Sequence, residues 1–228
     1  MDKLGWDRRE PCRGARDRLR GAYHAMAETR DRRTSSAWKA DVRESFLSLL
    51  QREGHVRLLE IGAGPGRNGA YSAEHGLDVV GADLSQEMVR LCEMKGLEAH
   101  VMDVVDLRFP RESFDAAYSF NVFLHVPEAE LLAALREVRR ILRPGGPFFL
   151  GLYGGFDREG THEEDTYTPK RFFSFRTDPR LLEAVREIFD VVSFDHVAVE
   201  DPDPRLRFQS FILRKRTAPR SRFCREER

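Results

Sequence analysis

From Val56 to Tyr153 the chain sets out five short apolar runs, each the length of one strand: VRLLEIG (56–62), LDVVGAD (77–83), LEAHVMD (97–103), FDAAYSFN (114–121) and PFFLGLY (147–153). Helical stretches lie between most of them. GRNGAYSAEHG stops at Gly76, and Ser85 is placed to cap SQEMVRLCEMKG, which stops at Gly96. Pro127 opens a helix with Leu131, Leu135, Val138 and Leu142 on one stripe. Such alternation forces parallel strands joined by right-handed helical crossovers.

The ending differs. After a helix start at Asp178-Pro179, DVVSFDHVAVE (190–200) and RLRFQSFILRK (205–215) follow each other with only DPDP between them. A connection that short permits only antiparallel neighbours. The expected fold is α/β: a Rossmann-like, doubly wound seven-stranded sheet, mostly parallel with a C-terminal antiparallel hairpin. Ahead of it, residues 1–54 read as an N-terminal helical cap, with Trp38, Val42, Phe46, Leu49 and Leu50 at helical spacing and a stop at Gly54. Residues 55–216 form the main domain. The first dozen residues and the tail 217–228 are polar and are expected to be mobile. Residues 154–178 read as a long irregular connection of the kind that forms a substrate lid.

Gly62, Gly64 and Gly66 sit two apart after the first strand, in LLEIGAGPGRNG. A strict dinucleotide fingerprint needs glycine where Arg67 stands, so the NAD pattern fails while a nucleotide-binding turn survives. Asp83 ends the second strand, nineteen residues beyond Gly64, where a carboxylate can accept both hydroxyls of a ribose. Asp103 ends the third strand and can accept from an adenine amine, with the Val104 N–H reaching a ring nitrogen. Acids ending successive strands share the sheet edge at which α/β ligands bind.

With LLEIGAGPGRNG, VVGADLSQEMV, VMDVVDLRFPRESFDAAYSFNVFLHVP and LREVRRILRPGGPFFL in that order, the chain resembles a class I S-adenosylmethionine-dependent methyltransferase of the small-molecule type with a generic methyltransferase domain. The resemblance covers roughly Val56 to Leu152, and the final hairpin matches as well. It implies that Glu60, Gly62, Ala63 and Gly64 line the methionine half of the cofactor, that Asp83 holds its ribose, and that Leu84 and Met88 pack on its adenine. Asp103 and Val104 would meet the adenine edge, and Phe120 and Asn121 the sulfonium end. Tyr23 would close over the site.

Methyl transfer from a sulfonium requires mostly alignment and exclusion of water, so no shared catalytic constellation is expected. His125, after the fourth strand, is the candidate base, and it serves equally as a histidine holding that turn. Tyr153, ending the fifth strand, either positions the acceptor or lines a wall; His24 is a third candidate. Phe172, Phe173 and Phe175 either build an aromatic acceptor pocket or anchor their loop. The run His162, Glu163, Glu164, Asp165 reads as a solvated acidic turn. With no acid ending the fourth strand, where metal-dependent catechol-type relatives keep one, no metal is expected.

The fourth strand ends SFNVF, unlike the Asn/Asp-Pro-Pro-aromatic motif of amino-methylating nucleic-acid enzymes, and Pro11-Cys12 precedes the fold. The chain has 38 basic and 38 acidic residues, which disfavours a nucleic-acid substrate and favours a small or neutral one. Only five of the basic residues are Lys, a bias of GC-rich bacterial genomes. Three scattered cysteines and the lack of a leader-like or membrane-length apolar run point to the cytoplasm. The expected function is methylation of an O or N atom of a small molecule, with a specialised metabolite as the suggested acceptor and S-adenosylhomocysteine as product. The alternatives are an NAD-dependent oxidoreductase and a non-catalytic S-adenosylmethionine-binding module.

Overall fold

The structure, a computed structural model, describes residues 6–7, 14–199 and 205–217. The chain begins with a two-residue strand, β1 (Trp6–Asp7), and three helices: α1 (Ala15–Ala25), α2 (Ala27–Arg32) and α3 (Ala37–Glu53). The alternating region follows as β2 (Arg57–Ile61), α4 (Arg67–Glu74), β3 (Asp78–Asp83), α5 (Gln86–Glu93), β4 (Glu98–Val101) and β5 (Ala116–Phe120). A 3₁₀ turn, Phe123–His125, leads into α6 (Glu128–Ile141) and β6 (Pro147–Gly154). The remainder is β7 (Arg158–His162), β8 (Phe172–Phe175), α7 (Asp178–Ile188), β9 (Asp190–Val197) and β10 (Arg207–Arg214).

Seven strands make the main sheet in the order β4-β3-β2-β5-β6-β10-β9. Pairings from β4 through β6 are parallel, and β10 lies antiparallel to both β6 and β9. This is the doubly wound sheet with the terminal hairpin. The order steps outward in both directions from β2 and β5, so the ligand crevice falls where these strands end. Helices cover both faces. Leu131, Leu135 and Val138 of α6 and Leu181 and Val185 of α7 pack on one side, and Phe46, Leu47 and Leu50 of α3 with Val89 and Cys92 of α5 on the other. Local signals act as read: Gly54 ends α3 at φ 72°, and the Ser85 side chain accepts from the Met88 N–H to open α5.

Two expectations are corrected. The segment 154–178 is not irregular throughout: β7 and β8, either side of an irregular stretch from 163 to 171, pair antiparallel, and β1 adds to β7 in a second, three-stranded sheet. The start of the chain is correspondingly not all free, because Trp6 is 7% exposed and its ring lies 4.8 Å from His162 and 5.8 Å from Phe175. The physical reason is that a two-residue strand and a four-residue strand carry too little alternation to register as strands, and gain stability only by pairing. The expectations for the tail beyond Thr217, for DPDP and for Pro11-Cys12 lie outside the described residues.

Candidate active site

At the C-terminal edge of the main sheet, β2 runs into a turn held by its neighbour. The Gly62 and Ala63 N–H groups both donate to the Ala82 carbonyl, at 2.7 and 3.1 Å. Gly62 has φ 70°, and a Cβ there would stand 2.1 Å from Cγ2 of Val122, so only glycine fits. Gly64 N donates to Asp83 Oδ2 at 2.9 Å, and Ser85 N to Oδ1 at 2.9 Å, which locks the carboxylate ending β3 against the turn. Burial raises the Asp83 pKa, against the pull of these two N–H groups.

Glu60 is 3% exposed, and burial pushes its pKa up to about 8 against a hydrogen bond from Asn68. Its Oε2 has no hydrogen-bond partner among the described residues. A buried carboxyl with an unused oxygen beside a glycine turn is a place for a cationic donor.

These groups open onto a cavity of about 580 Å³, within the range of small-molecule sites. Ten of the twelve residues implied as cofactor contacts line it: Tyr23, Glu60, Gly62, Ala63, Gly64, Asp83, Leu84, Met88, Phe120 and Asn121. The other two, Asp103 and Val104, line an adjoining recess of about 70 Å³ that shares Gly62, Asp83, Leu84 and His125 with the main cavity. There Asp103 Oδ1 accepts from Val105 N at 3.1 Å, while Oδ2 is paired with Arg16 Nε from α1. Asn121 adopts φ 61°, a left-handed conformation asparagine tolerates, and its Oδ1 accepts from Tyr153 N at 3.2 Å.

His125 is 7% exposed and has both ring nitrogens engaged, Nδ1 at 2.7 Å from the Phe172 carbonyl and Nε2 at 2.8 Å from the Tyr23 hydroxyl. A carbonyl only accepts, so Nδ1 carries the proton and Tyr23 donates to Nε2. Burial drives the His125 pKa down to about 3, which leaves the ring neutral near pH 7. Arg171 Nη1 lies 3.4 Å from the Tyr23 oxygen and is itself paired with Asp165 at 2.7 Å. Tyr153 lines the main cavity with its ring 6.4 Å from Trp38, whereas His24 is exposed outside it. The β8 phenylalanines divide by strand period: Phe172 turns into the core, and Phe173 and Phe175 line the cavity.

Several lining residues escape sequence reading. Leu19, Arg30, Arg33, Lys39, Arg43 and Arg171 come from the helical cap and the second sheet. Their arginines were hidden by a sequence rich in arginine throughout. The run from His162 to Asp165 is not a cluster: among the described residues no group of three His, Cys, Asp or Glu side chains is placed to hold a metal ion. Within the same limit, no helix is long and apolar enough to cross a membrane.

A doubly wound sheet with a glycine turn, a strand-end carboxylate on that turn and a cavity above both defines a nucleotide-cofactor protein. Residues 59–150 match the family described as a methyltransferase domain. The chain is 28% identical over 182 residues to phosphoethanolamine N-methyltransferase 2 of Caenorhabditis elegans, covering 75% of this chain and 40% of that protein. It is 33% identical over 116 residues to the ubiquinone biosynthesis O-methyltransferase of Xanthomonas oryzae pv. oryzae, covering 48% of each. It therefore spans less than half the length of these curated relatives. Among solved structures it is similar to the 1,6-didemethyltoxoflavin-N1-methyltransferase of Burkholderia thailandensis, solved with S-adenosylhomocysteine, at TM-score 0.69 and 22% identity over 91% of this chain and 92% of that one. It is also similar to the [4+2]-cyclase SpnF, at TM-score 0.63 and 19% identity over 81% and 84%. Residues 59–150 thus match a methyltransferase domain, set in a fold that the chain shares with class I S-adenosylmethionine-dependent methyltransferases.

Proposed function

We propose that the protein binds S-adenosylmethionine and transfers its methyl group to an oxygen or nitrogen atom of a small molecule, with a specialised metabolite in a bacterial cytoplasm as the setting. The observation that carries this is the meeting of Glu60, the glycine turn and Asp83 on one cavity of about 580 Å³. The donor set fits the cofactor: a carboxylate for a diol, an unsatisfied buried carboxyl for an ammonium, and an apolar wall for a purine. Relatives named as N- and O-methyltransferases support the reaction class and leave the acceptor atom open.

When bound, the cofactor brings a methyl group already activated on sulfur, ready for in-line displacement. Asp83 keeps one lone-pair direction on each oxygen for the ribose hydroxyls, since Gly64 and Ser85 each use one. Leu84 and Met88 would pack on the base, and Asp103, which here pairs with Arg16, and Val104 would meet its edge in the recess. Glu60 faces the amino group. Phe120 and Asn121 set the line of attack, and Tyr153 walls the acceptor side. Tyr23 ties α1 across the cavity to His125, so the pair keeps water out and orients the acceptor. A histidine with a pKa near 3 is too weak a base to take the acceptor's proton at pH 7, so the rate rests on alignment.

Calorimetry with S-adenosylhomocysteine tests the reading. The wild type should bind, and Asp83→Ala should bind at least about tenfold more weakly through loss of two charge-assisted hydrogen bonds. Binding of NADH without S-adenosylhomocysteine would overturn it. Release of S-adenosylhomocysteine from S-adenosylmethionine and a metabolite extract separates an enzyme from a binding module, a necessary arm because this fold also houses a cyclase.

A further inference from the structure

The charge inside the cavity is not the charge of the chain. Among its lining residues six are cations, Arg30, Arg33, Lys39, Arg43, Arg67 and Arg171, and two are acids, Glu60 and Asp83. Glu60, with its pKa near 8, is mostly neutral at pH 7, so the imbalance is larger than that ratio. Arg171 is neutralised by Asp165, and Arg43 lies 3.6 Å above the Tyr71 ring with Glu44 at 3.7 Å. Among the described residues the other four form no ion pair, although Asp31 acts on Arg67 and Asp83 on Arg30 from further off. Arg30 and Arg67 direct hydrogen bonds to uncharged oxygens, the Tyr167 hydroxyl and the Arg30 carbonyl. Among the described residues, neither Arg33 nor Lys39 has a carboxylate within 4.0 Å.

The cluster is close enough to repel itself. Lys39 is half-buried, and its pKa is lowered first by burial and then by Arg30, Arg67 and Arg33. Holding like charges together without a counter-ion costs stability, and such an arrangement persists where an anion is to be received. The cofactor does not supply that balance, because its sulfonium and ammonium outweigh its single carboxylate. The cluster also sits toward the reacting end. Lys39 Nζ lies 5.8 Å from the ring of Phe120, which ends β5 beside Asn121, and 5.4 Å from Trp38. The chain's zero net charge pointed to a small or neutral substrate; the cavity points to a small and charged one.

We propose that the methyl acceptor carries an oxyanion, a phosphate or carboxylate, and that this group docks on Lys39 and Arg33 with Arg30 and Arg67 behind them. The assignment rests on the cavity being the methyltransferase site. Guanidinium forks and an ammonium on one wall suit such a group, since both offer several N–H donors to its oxygens.

The test uses the full chain saturated with S-adenosylhomocysteine, so that the cofactor's own carboxylate is already seated. Inorganic phosphate and acetate are titrated by calorimetry at constant ionic strength, with chloride as the control. Phosphate or acetate should bind with a Kd of about a millimolar, and whichever binds more tightly identifies the group. Lys39→Gln and Arg33→Gln should each weaken that binding about tenfold, while S-adenosylhomocysteine affinity moves less than about threefold. Thermal melts matching the wild type establish that both variants fold. Cofactor binding with no anion binding above the chloride control overturns the proposal and spares the methyltransferase reading. A loss of S-adenosylhomocysteine affinity in Lys39→Gln with anion binding unchanged also overturns it, because the cations then serve the cofactor. No S-adenosylhomocysteine binding by the wild type is a different failure, that of the reading beneath.

Discussion

Glu60 is an acid whose position was readable and whose state was not. Its place ahead of the glycine turn was plain and the family resemblance implied a cofactor contact, but only the packed structure buries it to 3% exposure and moves its pKa to about 8. A cationic amino group placed against Oε2 should restore the ionised form, so cofactor binding at pH 7 should release close to one proton. Calorimetry in buffers of differing ionisation enthalpy measures that release; Glu60→Gln should abolish it, and release unchanged in that variant would refute the pairing. Gly62 makes a second residue-scale case. An Ala there meets Val122 at 2.1 Å and must hold φ 70°, so Gly62→Ala should lose about 1–3 kcal/mol in urea denaturation and displace the turn. The glycine itself was plain in the sequence. Its partner Val122, sixty residues away, was not, because that contact exists only once β2 and β5 lie side by side.

The elements divide in the same way. Helices and strands of the main sheet carried their own signals, since each apolar face is long enough to show its period. The second sheet did not, and it places Phe173, Phe175 and Arg171 around the cavity. Its attachment to the main fold runs through Arg176, a residue that no sequence pattern singled out. Arg176 is 1% exposed; it donates to the Phe123 carbonyl at 3.1 Å, the Val126 carbonyl at 2.8 Å and Glu128 at 2.6 Å. It thereby brackets the 3₁₀ turn that presents His125. Arg176→Met should destabilise the protein by about 3 kcal/mol, since it removes the buried donor to the Val126 and Phe123 carbonyls and leaves Glu128 with Arg180 alone. It should also speed amide exchange at His125 and Val126, whose N–H groups close that turn. Stability lost without faster exchange at those amides would show that the strut does not hold the turn.

On the scale of the whole molecule, two buried groups shape stability against pH in opposite senses. His125 falls to about 3 on folding from an ordinary 6.5, so the unfolded chain takes up its proton first, and stability is lost as pH drops from about 6.5 toward 3. Glu60 rises from 4.5 to about 8, so its contribution is complete below about 4.5 and is lost as pH climbs through 8. Each limb has a limiting slope of about 1.4 kcal/mol per pH unit for one proton. Between 4.5 and 6.5 the two slopes oppose each other. Urea midpoints across pH should therefore flatten on the acid side in His125→Gln and on the alkaline side in Glu60→Gln. Unchanged limbs would mean that neither group titrates as its burial requires. The sequence alone determined the doubly wound sheet, its closing hairpin, the glycine turn and the strand-end acids, because periodicity and turn chemistry are written within a few neighbouring residues. Only the tertiary structure decided the protonation of Glu60 and His125, the second sheet and the cationic wall, because burial and charge clustering arise between residues far apart in the chain.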